Sequence, residues 1–192
     1  NEFKQLNNDL ENKLTSQDKD VKRIEKIKHQ IQSGEELKVT QDNIKLLVLG
    51  LEDQNGLTRR SFAEQLGKIG KAALPELINA LLKSKSVIKR RAAAKTLKLV
   101  GDPKALPSLL KALINDKDPV VQCSAAGAIA IFGETAIHHL IIVLENPLCS
   151  EMQYGLASWC LTFAGTEAPK ALKKAAKSKN SNVRSAAISA LE

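Results

Sequence analysis

The chain has 192 residues, of which 43% are hydrophobic and 26% charged, enough apolar material for one core or for a continuous stacked one. Its longest apolar runs, residues 46–49 and 140–144, fall far short of the roughly 20 residues needed to cross a bilayer, which excludes a membrane-spanning class. The net charge of +8 brings an acidic partner or ligand into question, and three cysteines, an odd set without the close pairs of a zinc site, fit a reducing compartment. The chain opens Asn1-Glu2-Phe3-Lys4 with no Met and no apolar signal core, so trimming of a longer beginning is expected and no targeting signal is read.

In chain order, Phe3, Leu6, Leu10 and Leu14, then Val21, Ile24, Ile27 and Ile31, are spaced as on helix faces. They predict a charged helical pair over residues 1–34 that caps the rest of the chain. Residues 33–41, with Ser33-Gly34, read as a loop. From residue 35 to 192 the chain repeats. Gly70, Gly101, Gly133 and Gly165 recur 31, 32 and 32 residues apart, each after an apolar helical pattern. Seven positions before them stand Ala63, Ala94, Ala126 and Ser158, and four before them Leu66, Leu97, Ile129 and Leu161. One helix face is thus repeated four times, preceded in each unit by a helix carrying Leu46, Leu77, Leu109, Leu140 or Leu172, and a fifth unit supplies Val183, Arg184, Ala187 and Leu191. A hairpin of two short amphipathic helices cannot bury its apolar stripe alone, so the units must stack. Pro75, Pro107 and Pro169 fall where a first helical turn tolerates a missing N–H, and the glycines where a C-cap turns left-handed. The expected fold is an all-α solenoid of about five regular helical hairpins behind a degenerate N-terminal pair.

The segment from Leu57 to Gly70, with Ala92-Ala93-Ala94 and Gly101-Asp102-Pro103, resembles the short HEAT-like repeats named after phycobilisome lyases. Five regular units behind a charged helical pair, the overall length, and the run from Ala73-Leu74-Pro75 to Gly133 are similar to small bilin lyase and lyase-chaperone subunits of the phycoerythrin lyase Z, phycocyanin lyase E/F and NblB-like kind. The resemblance implies a phycobiliprotein maturation factor that helps attach a linear tetrapyrrole to a cysteine, or a chaperone of those subunits. The alternative to that favoured reading is a non-enzymatic HEAT scaffold: an NblB-like adaptor for chromophore detachment and antenna degradation, or a basic nucleic-acid-binding module. The implied partners are phycobiliprotein subunits and a second HEAT-repeat lyase subunit. No tightly bound cofactor is implied, only a transient bilin, phycoerythrobilin or phycocyanobilin. The implied setting is the cyanobacterial cytoplasm or the plastid stroma near the thylakoid.

The sequence offers few enzyme signatures. A metal-hydroxylase array of the same fold would need repeated His-Glu pairs, whereas the three histidines stand as His29-Gln30 and His138-His139-Leu140. Adjacent histidines point about 100° apart on a helix, so His138 and His139 could share a metal only with help, for instance from Cys149, and no metal site is predicted. Cys123 and Cys160 occupy positions that carry Arg or small residues in sibling units and read as buried, inert thiols. No residue stands out as a catalytic base; Tyr154 or Glu64 could at most assist, and any lyase activity would rest on positioning, together with a partner.

Charge is uneven along the array: 13 basic against 6 acidic residues over 41–104, but 2 against 6 over 105–168. The acidic unit interrupts any basic stripe, which argues against nucleic acid. Arg59, Arg60, Arg90, Arg91 and Arg184 share the first turn of the second helices, where pairing with Asp53 or Asp102 between repeats competes with anion binding. Trp159 falls on the polar or small face that carries Glu64, Lys95 and Gly127 in the sibling units. If the second helices line the concave side, Gly127, Ile131, Tyr154, Trp159 and Phe163 form its apolar end and Arg60, Arg91, Lys95 and Lys98 its cationic end. A bilin, flat and with two propionates, matches such a groove, the propionates meeting Arg91, Lys95 or Lys98. Trp159 could equally cap the core between repeats or anchor a protein partner.

Overall fold

The computed structural model describes residues 2–192; Asn1 and the side chain of Leu14, both part of the expected N-terminal pair, lie outside the described residues. Eleven α-helices and no strands make up the described chain: α1 (Glu2–Gln32), α2 (Gln41–Leu49), α3 (Gly56–Ile69), α4 (Leu74–Lys83), α5 (Val87–Val100), α6 (Leu106–Asn115), α7 (Pro119–Ala130), α8 (Gly133–Glu145), α9 (Glu151–Glu167), α10 (Pro169–Ala175) and α11 (Ser181–Leu191). From α2 onward they form five hairpins. The even-numbered first helices make one layer and the second helices α3, α5, α7, α9 and α11 the other.

The repeated leucines are the shared core. Leu46, Leu77, Leu109, Leu140 and Leu172 from the first layer meet Leu66, Leu97, Ile129 and Leu161 from the second, and all are buried. The second helices pack on one another more extensively than the first helices do. Small residues at Ala63, Ala94 and Ala126 allow that approach, and the closer-packed layer becomes the inside of the curve.

Each hairpin loop is built the same way. Asp53, Ser84, Asp116, Asn146 and Ser178 accept, through their side-chain oxygens, the backbone N–H two residues on. The following Asn55, Ser86, Asp118, Ser150 and Asn180 then cap the second helices by accepting from their first free N–H groups. In four of the five loops a side chain of the first turn closes the loop from the other side. Arg59, Arg90 and Arg184 each donate to the two carbonyls six and five residues upstream, and Gln122 stands in by donating to the Asp116 carbonyl at 2.8 Å.

Pro75, Pro107 and Pro169 open α4, α6 and α10. The glycines need correcting. Gly70 and Gly101 follow α3 and α5 with positive φ, but Gly133 begins α8, and Gly165 lies buried inside α9. Gly165 serves close approach: a Cβ there would stand 2.4 Å from Leu172 Cδ2. Gly165→Ala therefore costs about 1–3 kcal/mol of overpacking, outweighing the ~1 kcal/mol or less that Ala gains in helix propensity. A denaturant midpoint equal to or above wild type would contradict it.

The expected N-terminal pair is one continuous helix, because no turn residue interrupts its 31 residues. Only its last turns dock: Ile27 is buried, and Ile24 and Ile31 pack against the core, while Phe3 is 82% exposed. Lys28 Nζ fixes that end, 2.9 Å from Asp53 and 2.6 Å from Glu25. Hydrogen bonds to Glu25 and Asp53 hold the Lys28 ammonium above its ordinary 10.5. Burial pushes the Asp53 carboxyl up, but hydrogen bonds from Lys28 and the Asn55 N–H, with the Lys28 and Arg59 charges, bring it below its ordinary 3.8. The Asp53 contribution is present above the ordinary carboxylate value and lost as pH falls through the depressed one. That of Lys28 is present below 10.5 and lost as pH rises past its raised value. Amide protection of residues 24–31 should therefore fall at both extremes, and Asp53→Asn should flatten the acid limb. An unchanged acid limb in that variant would refute the latch.

Candidate functional site

Stacking in register places equivalent positions of successive second helices side by side. Arg60, Arg91 and Cys123 form one row. One turn on come Glu64, Lys95, Gly127 and Trp159, and after them Lys98. These rows face the inside of the curve. Between α3 and α5 they line a groove of about 770 Å³ bounded by Arg60, Glu64, Arg91, Lys95 and Lys98, with Ala63, Val87, Ile88, Ala92, Leu99 and Val120 as its apolar surface. A second hollow of about 480 Å³ lies between α5 and α7, sharing Arg91, Lys95, Lys98 and Val120 and adding Cys123 and Gly127. Helix α5 is thus a cationic ridge between two adjoining depressions.

The structure brings together Arg60, Arg91, Lys95, Lys98 and Gly127 and leaves the other expected residues apart from them. Trp159 and Phe163 stack edge to face, 5.3 Å between centroids and 87° between planes, with Trp159 39% exposed. The pair sits further along the same layer and lines neither depression; Ile131 is exposed near the end of α7, and Tyr154 packs half-buried against the core. Gly127 keeps the face open between Lys95 and Trp159, since nothing lies within 4 Å of where its Cβ would be. The apolar lining missed in the sequence is Val87, Ile88, Leu99 and Val120. Its signal was present: β-branched residues and leucine left exposed on capped, amphipathic helices.

In α3 and α5, whose first turns carry two arginines, the pair divides its work. Arg59, Arg90 and Arg184 are committed to the loops, and the pairing between repeats runs from Arg90 to Asp116 rather than to Asp53 or Asp102. Asp53 holds Lys28, and Asp102 accepts the Lys104 N–H in its own turn. Arg60 and Arg91 point into the groove. Arg60 pairs with Glu64 at 3.0 Å, whereas among the described residues Arg91, Lys95 and Lys98 enter no ion pair. Burial, then the charges of Arg91 and Arg59, hold the Lys95 ammonium below its ordinary value, with Cys123 acting in the opposite direction. A carboxylate arriving there would relieve repulsion already present among the cations.

Of the thiols, Cys160 is buried, donates to the Ala126 carbonyl at 3.8 Å and is pushed by burial up to about 12. Cys123 is exposed instead, because it takes the groove-facing position of Arg60 and Arg91. His138 and His139 meet edge to face at 6.1 Å, with His139 Nδ1 2.8 Å from the Thr135 carbonyl. Among the described residues no three His, Cys, Asp or Glu side chains converge as metal ligands, and no helix is long and apolar enough to cross a membrane.

Known proteins share the repeat. A family described as HEAT repeats matches residues 74–157, and one described as PBS lyase HEAT-like repeat matches residues 58–83. The bilin biosynthesis protein MpeU of Synechococcus sp. (strain WH8020) is 43% identical over 183 residues, covering 95% of this chain and 62% of that protein. The chain thus spans a little under two thirds of that relative's length. Among solved structures, a chain from the complex of CpcE and CpcF of phycocyanin lyase from Nostoc sp. PCC7120 superposes with a TM-score of 0.52 at 18% identity, over 80% of this chain and 100% of that one, a likeness of fold. Between them the two families account for residues 58–157, so the repeats of that stretch are of the HEAT and PBS lyase HEAT-like kind.

Proposed function

We propose that the chain is a bilin lyase subunit or lyase chaperone, which holds a linear tetrapyrrole in the groove along α5 while a phycobiliprotein subunit docks on the same curved layer. The observation that carries it is the unpaired cationic ridge of Arg91, Lys95 and Lys98 beside an apolar wall of Val87, Ile88, Leu99 and Val120. A bilin needs both surfaces: its propionates require charge-assisted partners and its conjugated rings an apolar bed. The likeness to a bilin biosynthesis protein supports the ligand class. The exposed Trp159–Phe163 pair, lying outside the groove, suits the protein partner, since aromatic anchors concentrate binding energy at such surfaces. Catalysis on this view is the positioning of pigment and acceptor thiol, in concert with a second HEAT-repeat subunit. Such a factor works where antenna subunits are made, in the cyanobacterial cytoplasm or plastid stroma.

The test is spectroscopic. Mixing the protein with phycocyanobilin or phycoerythrobilin should shift and sharpen the visible absorbance, and the protein should retain an apo-phycobiliprotein subunit on a column. Trp159→Ala should weaken that retention several-fold while leaving the bilin shift in place. Absence of both the shift and the retention would overturn the assignment, and a salt-sensitive gel shift with RNA or DNA in their place would favour a nucleic-acid module.

A further inference from the structure

We propose that the first turns of α3, α5, α7 and α9 carry a docking strip for an amphipathic helix of the protein partner, acidic at the end that lies over α3 and α5 and basic at the other. This rests on the docking half of the reading above and holds whether or not a bilin fills the groove.

The strip follows from the repeat. Two residues after the caps Asn55, Ser86, Asp118 and Ser150 stand Leu57, Ile88, Val120 and Met152, a large aliphatic side chain in each of four successive hairpins, and all four are exposed. Isolated exposed apolar residues are ordinary, but one register position left apolar and uncovered in four neighbouring helices makes a continuous row. The outer two, Leu57 at 75% and Met152 at 70%, are the most exposed and offer the largest area to cover. In the fifth hairpin the position is Asn182, whose side chain donates to the Leu144 carbonyl, so the row ends at α9.

Spacing selects the occupant. Packed helices lie about 8–10 Å apart, so the row offers one anchor at that interval and extends for roughly 25–30 Å. A strand does not match it, because its same-face residues come at about 7 or 14 Å. An α-helix does: every seventh residue returns to within about 20° of the same face after about 10.5 Å, and about 20 residues span the row. A polyproline helix repeats at about 9 Å, yet it is taken by aromatic-lined grooves, whereas this row is aliphatic, like the surfaces that take amphipathic helices. Charge then sets the polarity. Beside Leu57 and Ile88 stand Arg60 and Arg91; beside Val120 and Met152 stand Asp118 and Glu151, while Cys123 and Gly155 fill the places of those two arginines. A complementary helix is therefore acidic over the first two hairpins and basic over the next two. Docked there, it roofs the edge of the groove that Ile88 and Val120 line.

The probe is a fluorescein-labelled helical peptide of three heptads, with leucine at the first and fourth places of each, glutamate elsewhere in its first half and lysine elsewhere in its second. Its anisotropy should rise on titration with the full chain, and a version with lysine in both halves should bind roughly tenfold more weakly. Leu57→Ser and Met152→Ser should each weaken the peptide roughly fivefold or more. Both should leave the phycocyanobilin absorbance shift in place, since neither side chain lines a depression, and both should leave the hairpins folded, since both side chains are exposed. Ile142→Ser, which removes an exposed apolar side chain from the first-helix layer, should leave peptide affinity unchanged. No binding to the wild type, or equal binding by the wild type and both strip variants, would overturn the strip whatever the bilin does. Peptide binding that follows Leu57 and Met152 in a chain that gives no bilin shift would overturn the pigment groove alone and leave the strip standing.

Discussion

Replacing Lys95 by glutamate should weaken bilin binding by about 10–100-fold, because a charge-assisted hydrogen bond is worth about 1.5–3 kcal/mol and the new carboxylate adds repulsion. Lys95 sits on the ridge common to both depressions, so its reversal touches a propionate on either side of α5. The effect should exceed that of Lys98→Glu. Arg60→Glu should matter least, since Arg60 is already paired with Glu64 and exposed. Lys95→Met separates the terms: it keeps the aliphatic stem and loses only the charge, and should fall between wild type and Lys95→Glu. Titration of the absorbance shift at low and high salt gives all five affinities, and the wild-type affinity should drop with salt while that of Lys95→Met drops less. Equal affinities for Lys95→Glu and wild type would remove the groove as the pigment site. The folds should be unaffected, because Lys95 is exposed and makes no ion pair that a substitution would break.

The solenoid was legible because its cause is repeated. Four hairpins bury the same two apolar positions and the fifth keeps the first of them at Leu172 while Leu191 is exposed, so each unit restates the evidence of the last, and register follows from counting between glycines. Features that occur once or that depend on the partner helix were not legible. Gly165 looks like its three siblings in sequence, yet it is buried within α9 because Leu172 must approach it. The N-terminal residues carry helix spacing throughout, but whether they fold back as a pair depends on a turn that Thr15-Ser16-Gln17 does not supply. The cationic half of the site was readable as a column of Arg60, Arg91 and Lys95. For the apolar wall of that depression the conspicuous aromatic, Trp159, lies outside it; the wall is Val87, Ile88, Leu99 and Val120, less conspicuous residues placed on the exposed side of capped, amphipathic helices. Cys123 shows the same limit from the other side: sharing a row with arginines meant facing the groove, not joining the core.

Asp116→Ala should be the most destabilising exchange of a charged side chain, on the order of 3 kcal/mol. Its carboxylate is nearly buried, 8% exposed, and takes two hydrogen bonds from Arg90, at 2.8 Å from Nε and 3.2 Å from Nη2. It also accepts the Asp118 N–H at 3.0 Å, which shapes the turn before α7. Removing it leaves the Arg90 guanidinium, 16% exposed, with only the Ser84 and Lys85 carbonyls, and lets the α7 turn relax. The two residues belong to neighbouring hairpins, so their bond is a staple between repeats and not within one. In a stack where each unit touches only its neighbours, loosening one interface divides the array there. A double-mutant cycle over Arg90→Ala and Asp116→Ala should yield a coupling of about 2 kcal/mol, above the 0–1 kcal/mol of an exposed pair. Hydrogen exchange should rise at the facing ends of α5 and α7 before it rises in α9 or α11. The same interface sets the distance from the α5 ridge to α7, so Asp116→Ala should also blur the bilin spectrum without changing any residue that lines the groove. A coupling below about 0.5 kcal/mol would show that core leucines alone hold the two repeats in register.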